Sequence, residues 1–254
     1  MKRTFSSIFL PGGLSLLCVL AGWSVGLGLA QEGGAAKGPE DLEQEVRFLA
    51  IQNVEGSGIV EDILKLASSY LDLGHGFYTG HEEKLAAFKE GARLAKKCLD
   101  LRENSARAHF LYAANLGSAA ELEGLVSSVF IVEELQTHLN RVLELDEAYA
   151  PAHHMLGRMY EELPWFLGGN QKVAGEHLSQ AVKHNPLYVP ARLDWARWLL
   201  KQGKKDEALK QLEVVRDQPP LKEKQWLWER KYRPEALSLL HRISLGEESG
   251  PVTH

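Results

Sequence analysis

Cysteine is nearly absent from this 254-residue chain: there are two, Cys18 and Cys98. Cys18 sits in an apolar N-terminal run, and loss of that run leaves Cys98 alone, so no disulfide inside the domain is expected. Cys98 falls at a small-residue position of a helical pattern and reads as a buried structural thiol. Positive charge is also short. With 29 Lys plus Arg against 34 Asp plus Glu the net charge is −5, a poor basis for binding nucleic acid. No stretch alternates polar and apolar residues over any length, so no sheet is expected. A Gly-rich phosphate loop, a Gly-x-Ser-x-Gly elbow and a Cys-x-x-Cys pair are all missing, and the chain is read as a non-enzyme without a cofactor. Ten histidines are present, but no pair has the i, i+4 helical spacing with a Glu base that a metal enzyme uses. His153 and His154 are adjacent and point about 100° apart on a helix. His75 and His81 flank a glycine loop, and His109 and His153 hold equivalent positions in two repeats. No metal site is expected.

What is present begins with Lys2 and Arg3, followed by an uncharged apolar run over residues 9–29 and small residues at Gly28 and Ala30. This pattern predicts a secretory signal peptide over residues 1–30, cleaved after Ala30, and a periplasmic location. An uncleaved membrane anchor is the alternative, since about 20 apolar residues suffice to span a bilayer. Leu17 precedes Cys18 where a lipid-attachment signal would carry a small residue, so no lipid anchor is expected. Cleavage would remove two cations and no anion, taking the charge from −5 to −7. Residues 31–40 read as a Gly/Ala linker, 41–245 as one domain and 246–254 as a tail.

The domain is phased from residues 150–220. Ala196, Leu199, Ala208, Leu212, Val215 and Pro220 follow the small/large spacing of a tetratricopeptide helix pair. Leu156-Gly157, Tyr160, Ala174, Leu178, Ala181 and Pro186 form the preceding copy. Its two helices are separated by an insertion holding Pro164-Trp165-Phe166-Leu167-Gly168-Gly169. Small residues let paired helices touch, and one pair cannot bury its own apolar face, so the units must stack. Apolar periodicity predicts earlier helices over residues 41–53, 59–73 and 82–101, with Gly74-His75-Gly76 closing the second. Helices over 105–120 and through Leu135, Leu139 and Val142 make another unit. Residues 121–131, apolar at Leu122, Leu125, Val126, Val129 and Phe130, read as a helical extension or added helix. A last helix over 223–245, broken near Pro234, would cover the open end with Trp226, Leu227, Leu237 and Leu240. The expected fold is all-α: a tetratricopeptide-like solenoid of about four helix pairs with a C-terminal capping helix.

Several segments go beyond a generic repeat. They are residues 90–99, 108–117 and 143–150, then Leu156-Gly157-Arg158-Met159-Tyr160 with Leu163-Pro164-Trp165 and Gly168-Gly169. In this order they resemble the TatT family, exported tetratricopeptide-like proteins associated with TRAP-type transporters. The resemblance implies an accessory role beside a periplasmic solute-binding protein. The same layout is similar to the eukaryotic regulator of microtubule dynamics family, against which the signal peptide argues.

In such repeats the first helix of each unit lines the concave surface. Phasing places Arg107, Phe110, Ala114 and Gly117 of one unit there, with Pro151, His154, Arg158 and Glu161 of the next. Pro190, Leu193, Arg197 and Leu200 follow. Arg158 and Arg197 can hold a carboxylate of a peptide C-terminus or organic acid through forked hydrogen bonds, or else are solvated or paired with Glu161 and Asp194. Asn115, a poor helix former in mid-helix, either caps a bend or bonds a ligand. Trp165 and Phe166 either pack over helix ends or dock a partner. The expected function is an exported binding and scaffold protein with a protein partner or small organic ligand, able to self-associate, with no nucleic acid. A periplasmic assembly factor for envelope or secretion complexes is the alternative. A hydrolase using His154 and Glu161 is a third reading.

Overall fold

The computed structural model describes residues 39–124, 130–219 and 225–246, and no strand occurs among the described residues. The principal helices are α1 (Pro39–Ile51), α2 (Val60–Gly76), α3 (His81–Leu101), α4 (Ala106–Glu123) and α5 (Val132–Leu145). They continue as α6 (Ala150–Glu162), α7 (Gln171–His184), α8 (Val189–Lys201), α9 (Lys205–Asp217) and α10 (Arg233–Ser244). Local chemistry marks their starts. The Ser105 side chain accepts the Ala108 amide, and Asn170 accepts those of Lys172 and Val173. Pro151, Pro190 and Pro234 lie in first turns, where the amide they lack has no partner to lose.

Consecutive helices pair as α2/α3, α4/α5, α6/α7 and α8/α9, with α1 laid on α2 and α10 on α9. The small residues that set the phase, Ala113, Ala174, Ala196 and Ala208, are completely buried. Gly157 lies so near Leu178 on α7 that a Cβ there would stand 2.7 Å from its Cγ and 3.1 Å from its backbone nitrogen. Leu139, Val142, Leu156, Leu193, Leu199, Leu212 and Val215 fill the layers between pairs. Cys98 is buried with its sulfur 3.7 Å from the Val60 carbonyl, and burial pushes its thiol up to about 11.

Three expectations can be set against the structure. The Gly74-His75-Gly76 run does not stop α2, which continues through Gly76. Gly74 instead admits the Phe88 ring, only 2.4 Å from where a Cβ would be. The extension beyond residue 120 carries α4 to Glu123, where Gly124 at φ 104 ends it. Leu125, Val126 and Val129 lie outside the described residues, and Phe130 is exposed. The last helix starts with a turn at Gln225–Leu227 and widens into a π-helical stretch, Trp228–Tyr232, just before Pro234 where a break was expected, then runs on as α10. Pro234 cannot donate to the carbonyl four residues back and its ring crowds that carbonyl, which fits a widened turn just before it. The buried face of the cap is Trp228, Ala236, Leu239 and Ile243, with Leu240 partly covered and Leu237 exposed. The N-terminal 30 residues, most of the linker, Pro220 and the tail after Gly246 also lie outside the described residues. No described helix is long and apolar enough to cross a membrane.

Candidate binding surface

The first helices α2, α4, α6 and α8 lie side by side, and polar side chains meet across their seams. Between α2 and α4, Arg107 stands 3.8 Å from Glu61, and the Ser118 hydroxyl is 3.0 Å from His75 Nε2. Between α6 and α8, His154 Nε2 is 2.6 Å from Asp194 Oδ2, Arg158 Nε is 3.8 Å from the same oxygen, and Lys201 Nζ is 2.7 Å from Glu161. Arg197 grips the other Asp194 oxygen and also Glu235 at the start of α10.

Asp194 is the hub. Burial by itself would raise its carboxyl, but the hydrogen bond from His154 and the charges of His154, Arg158 and Arg197 outweigh that and hold it at about 2. Burial likewise opposes the charge on Arg158, and Glu162, Asp194 and Glu121 overcome it. Tyr188 meets the His154 ring edge-on at 5.4 Å, and burial drives its hydroxyl upward, so it stays a neutral wall of the site.

Sequence phasing therefore gathers His154, Arg158 and Arg197 on one carboxylate, with Glu161 one helical step away on Lys201. It does not gather the rest. Arg107 is at the α2–α4 seam. Phe110 is packed into the core, its ring 5.2 Å from that of Tyr149. Asn115 is fully buried: Nδ2 donates to the Leu111 carbonyl at 2.8 Å, and Oδ1, facing Gly91, accepts from no described residue. Leu193 turns into the core. Trp165 and Phe166 are 85% and 67% exposed, edge-on to each other at 5.8 Å. Their loop is tied by the Leu167 and Gly169 amides donating to the Pro164 carbonyl, and a Cβ at Gly169 would stand 1.8 Å from the Leu163 oxygen. Glu161 and His154 are engaged with separate partners and do not aim at one atom. Among the described residues no group of three or more His, Cys, Asp or Glu is set to hold a metal. Phasing missed Glu235, Lys231 and Tyr232, which come from beyond the repeats. A cluster of Trp226, Trp228 and Tyr232 in so short a segment was the available signal.

The model of the family described as regulator of microtubule dynamics protein 1-3 matches residues 36–164, just over half of the chain. The chain belongs to this family. Regulator of microtubule dynamics protein 1 of Bos taurus is 26% identical over 130 residues, covering 50% of this chain and 41% of the relative. Its Mus musculus counterpart is 27% identical over 133 residues, covering 50% and 43%. The chain thus spans less than half the length of these relatives. A thermophilic TPR protein of Thermus thermophilus superposes with a TM-score of 0.55 at 18% identity, covering 81% of this chain and 90% of that one, which supports the helical-repeat fold.

Membership in the regulator of microtubule dynamics family overturns the TatT reading, and with it the expected tie to a TRAP-type transporter. The residues quoted for TatT from 90 to 164 fall inside the matched region. Many are the small and large residues that any stacked helix pair needs, so they separate such families poorly. The signal-like segment, used as an argument against this family, lies outside the match.

Proposed function

We propose that this protein, a helical-repeat binding protein by fold and family, docks a protein of the microtubule system on the face built by α2, α4, α6 and α8. The relatives' name supplies the partner class. The α6–α8 seam carries the reading: two guanidinium groups with ten N–H donors between them converge on a site where Asp194, Glu162 and Glu235 leave donors to spare, as Arg158 remains 43% exposed. Co-sedimentation of the full chain with stabilised microtubules tests it. Wild type pellets with the polymer, and the Arg158→Ala/Arg197→Ala double variant binds about tenfold more weakly, as loss of an interface anchor predicts. Equal pelleting of the two, or none by wild type, sinks the reading. We further propose that residues 1–30 route the domain to or through a membrane. N-terminal sequencing of the mature protein separates cleavage after Ala30 from a retained anchor.

A further inference from the structure

The segment between α9 and α10 does more than cap the stack. Its Trp226 ring stacks on Phe77, the residue that ends α2, with centroids 4.0 Å apart and planes 29° apart. Its Cη2 lies 2.1 Å from where a Cβ of Gly76 would be, so only glycine lets the indole seat. Trp228 then anchors the segment at the other end of the stack, its indole N–H donating to the Val215 carbonyl at 2.6 Å. Tyr232 is partly buried and feels both Asp72 of α2 and Asp194 of α8, and Glu235 pairs with Arg197. Residues 226–235 therefore run from the first helix pair back to the fourth, over the face formed by the first helices.

We propose that residues 225–235 are a strap that occupies this face as an intramolecular ligand, and that the partner displaces it with a segment carrying an aromatic ring and, about nine residues on, a carboxylate. This rests on reading the face as the binding surface. The aromatic enters the Gly76/Phe77 seat and the carboxylate meets Arg197. The strap is an imperfect occupant by construction. Lys231 is exposed, yet Arg158, Arg197 and Lys84 act on its ammonium with Asp194 opposing them, and desolvation together with these cations presses it downward. A partner lacking a cation at that step avoids this repulsion. The strap's own advantage is its tether, which gives it a local concentration on the order of millimolar.

The probe is a fluorescein-labelled peptide of residues 225–236, titrated by anisotropy into the full chain and into its Trp226→Ala/Glu235→Gln variant. The variant binds the peptide at least tenfold more tightly than wild type, and the peptide carrying Lys231→Ala binds tighter than its parent. In hydrogen exchange, residues 72–84 lose protection in the variant. A second substitution in the full chain, Lys231→Gln, leaves the packing in place, raises the melting temperature and weakens peptide binding. Equal affinity of both chains, no binding by either, or unchanged protection at 72–84 overturns the strap. If that happens while arginine-dependent microtubule binding persists, only the strap falls. If the strap holds and microtubule binding is indifferent to the arginines, the reading of the face falls instead.

Discussion

Asp194 is the acceptor shared by three neighbours, and of these His154 is buried and would lose its acceptor while Arg158 keeps Glu162 and Arg197 keeps Glu235. Removing one member of a buried charged cluster leaves the others uncompensated, which costs about 3–5 kcal/mol. Asp194→Asn should therefore lower stability by about 3 kcal/mol in urea unfolding, while Glu162→Gln, on the exposed side of Arg158, changes it by less than about 1 kcal/mol. Similar losses in the two variants would show that Asp194 is not the centre of the network. Gly157 makes a separate point. Its Cβ would meet both the Leu178 side chain and its backbone nitrogen, and backbone cannot move aside as a rotamer can. Gly157→Ala should destabilise by about 1–3 kcal/mol despite the better helix propensity of alanine, measured as a shift in the urea midpoint. Small-residue spacing made Gly157 legible in the sequence. The pairing of Arg197 was legible as an option, since Asp194 stands three residues before it on the same helix face, but Arg158 takes Glu162 rather than the expected Glu161, which Lys201 holds. Asn115 was not legible: nothing in a single chain says that Gly91 lies against it.

Helix pairs in the second and third units share one device. His109 Nε2 lies 2.9 Å from the Glu103 carbonyl and His153 Nε2 lies 3.0 Å from the Glu147 carbonyl. A carbonyl only accepts, so Nε2 carries the proton and Nδ1 is left as an acceptor. His138 and His177, on the second helices, fill that role as donors, with Nδ1 to Nδ1 distances of 2.8 and 2.9 Å. Protonating His109 or His153 puts a second proton on Nδ1 and sets N–H against N–H. Burial lowers all four rings, with His177 held at about 4. The first pair also faces Glu134, Arg141 and Lys96, and the second faces His184 and Glu176. In the unfolded chain these histidines take up protons near pH 6.5 and in the fold they resist, so the unfolded state binds more protons. Stability therefore falls as pH drops from about 6.5 toward 4. The Asp194 carboxyl, held low, loses its contribution only below about pH 4. His138→Asn/His177→Asn keeps a donor at each Nδ1 position and removes two titrating groups, so melting temperature against pH should flatten between 7 and 4.5. An unchanged slope would remove the assignment. Sequence periodicity gave most of the helices and the equivalence of His109 with His153. It missed the run of α2 through Gly76, because a glycine needed for close approach looks the same as a glycine that ends a helix.

A solenoid's units usually feel only their neighbours, so damage at one end stays there. In this molecule the segment that leads into α10 returns to the first pair through Trp226 and Phe77, which links the two ends directly. No sequence pattern could announce that link, because it depends on how far four stacked pairs curve. It has a measurable consequence at the far end of the cap. Ile243 is buried against α9, and Lys205 Nζ is 3.2 Å from its carbonyl. Ile243→Ala, at a cost of about 2 kcal/mol or more, should loosen α10 and with it the anchorage of residues 226–232. Hydrogen exchange should then rise in two places, over 189–244 as any stack would show, and over 72–84, more than a hundred residues away. The middle of the stack, α5 and α6, should change less than either. Leu139→Ala, placed in that middle, should give the reverse order, with 132–162 exposed first. Should Ile243→Ala loosen only 189–244, the ends behave as independent units and Trp226 rests on Phe77 without coupling them.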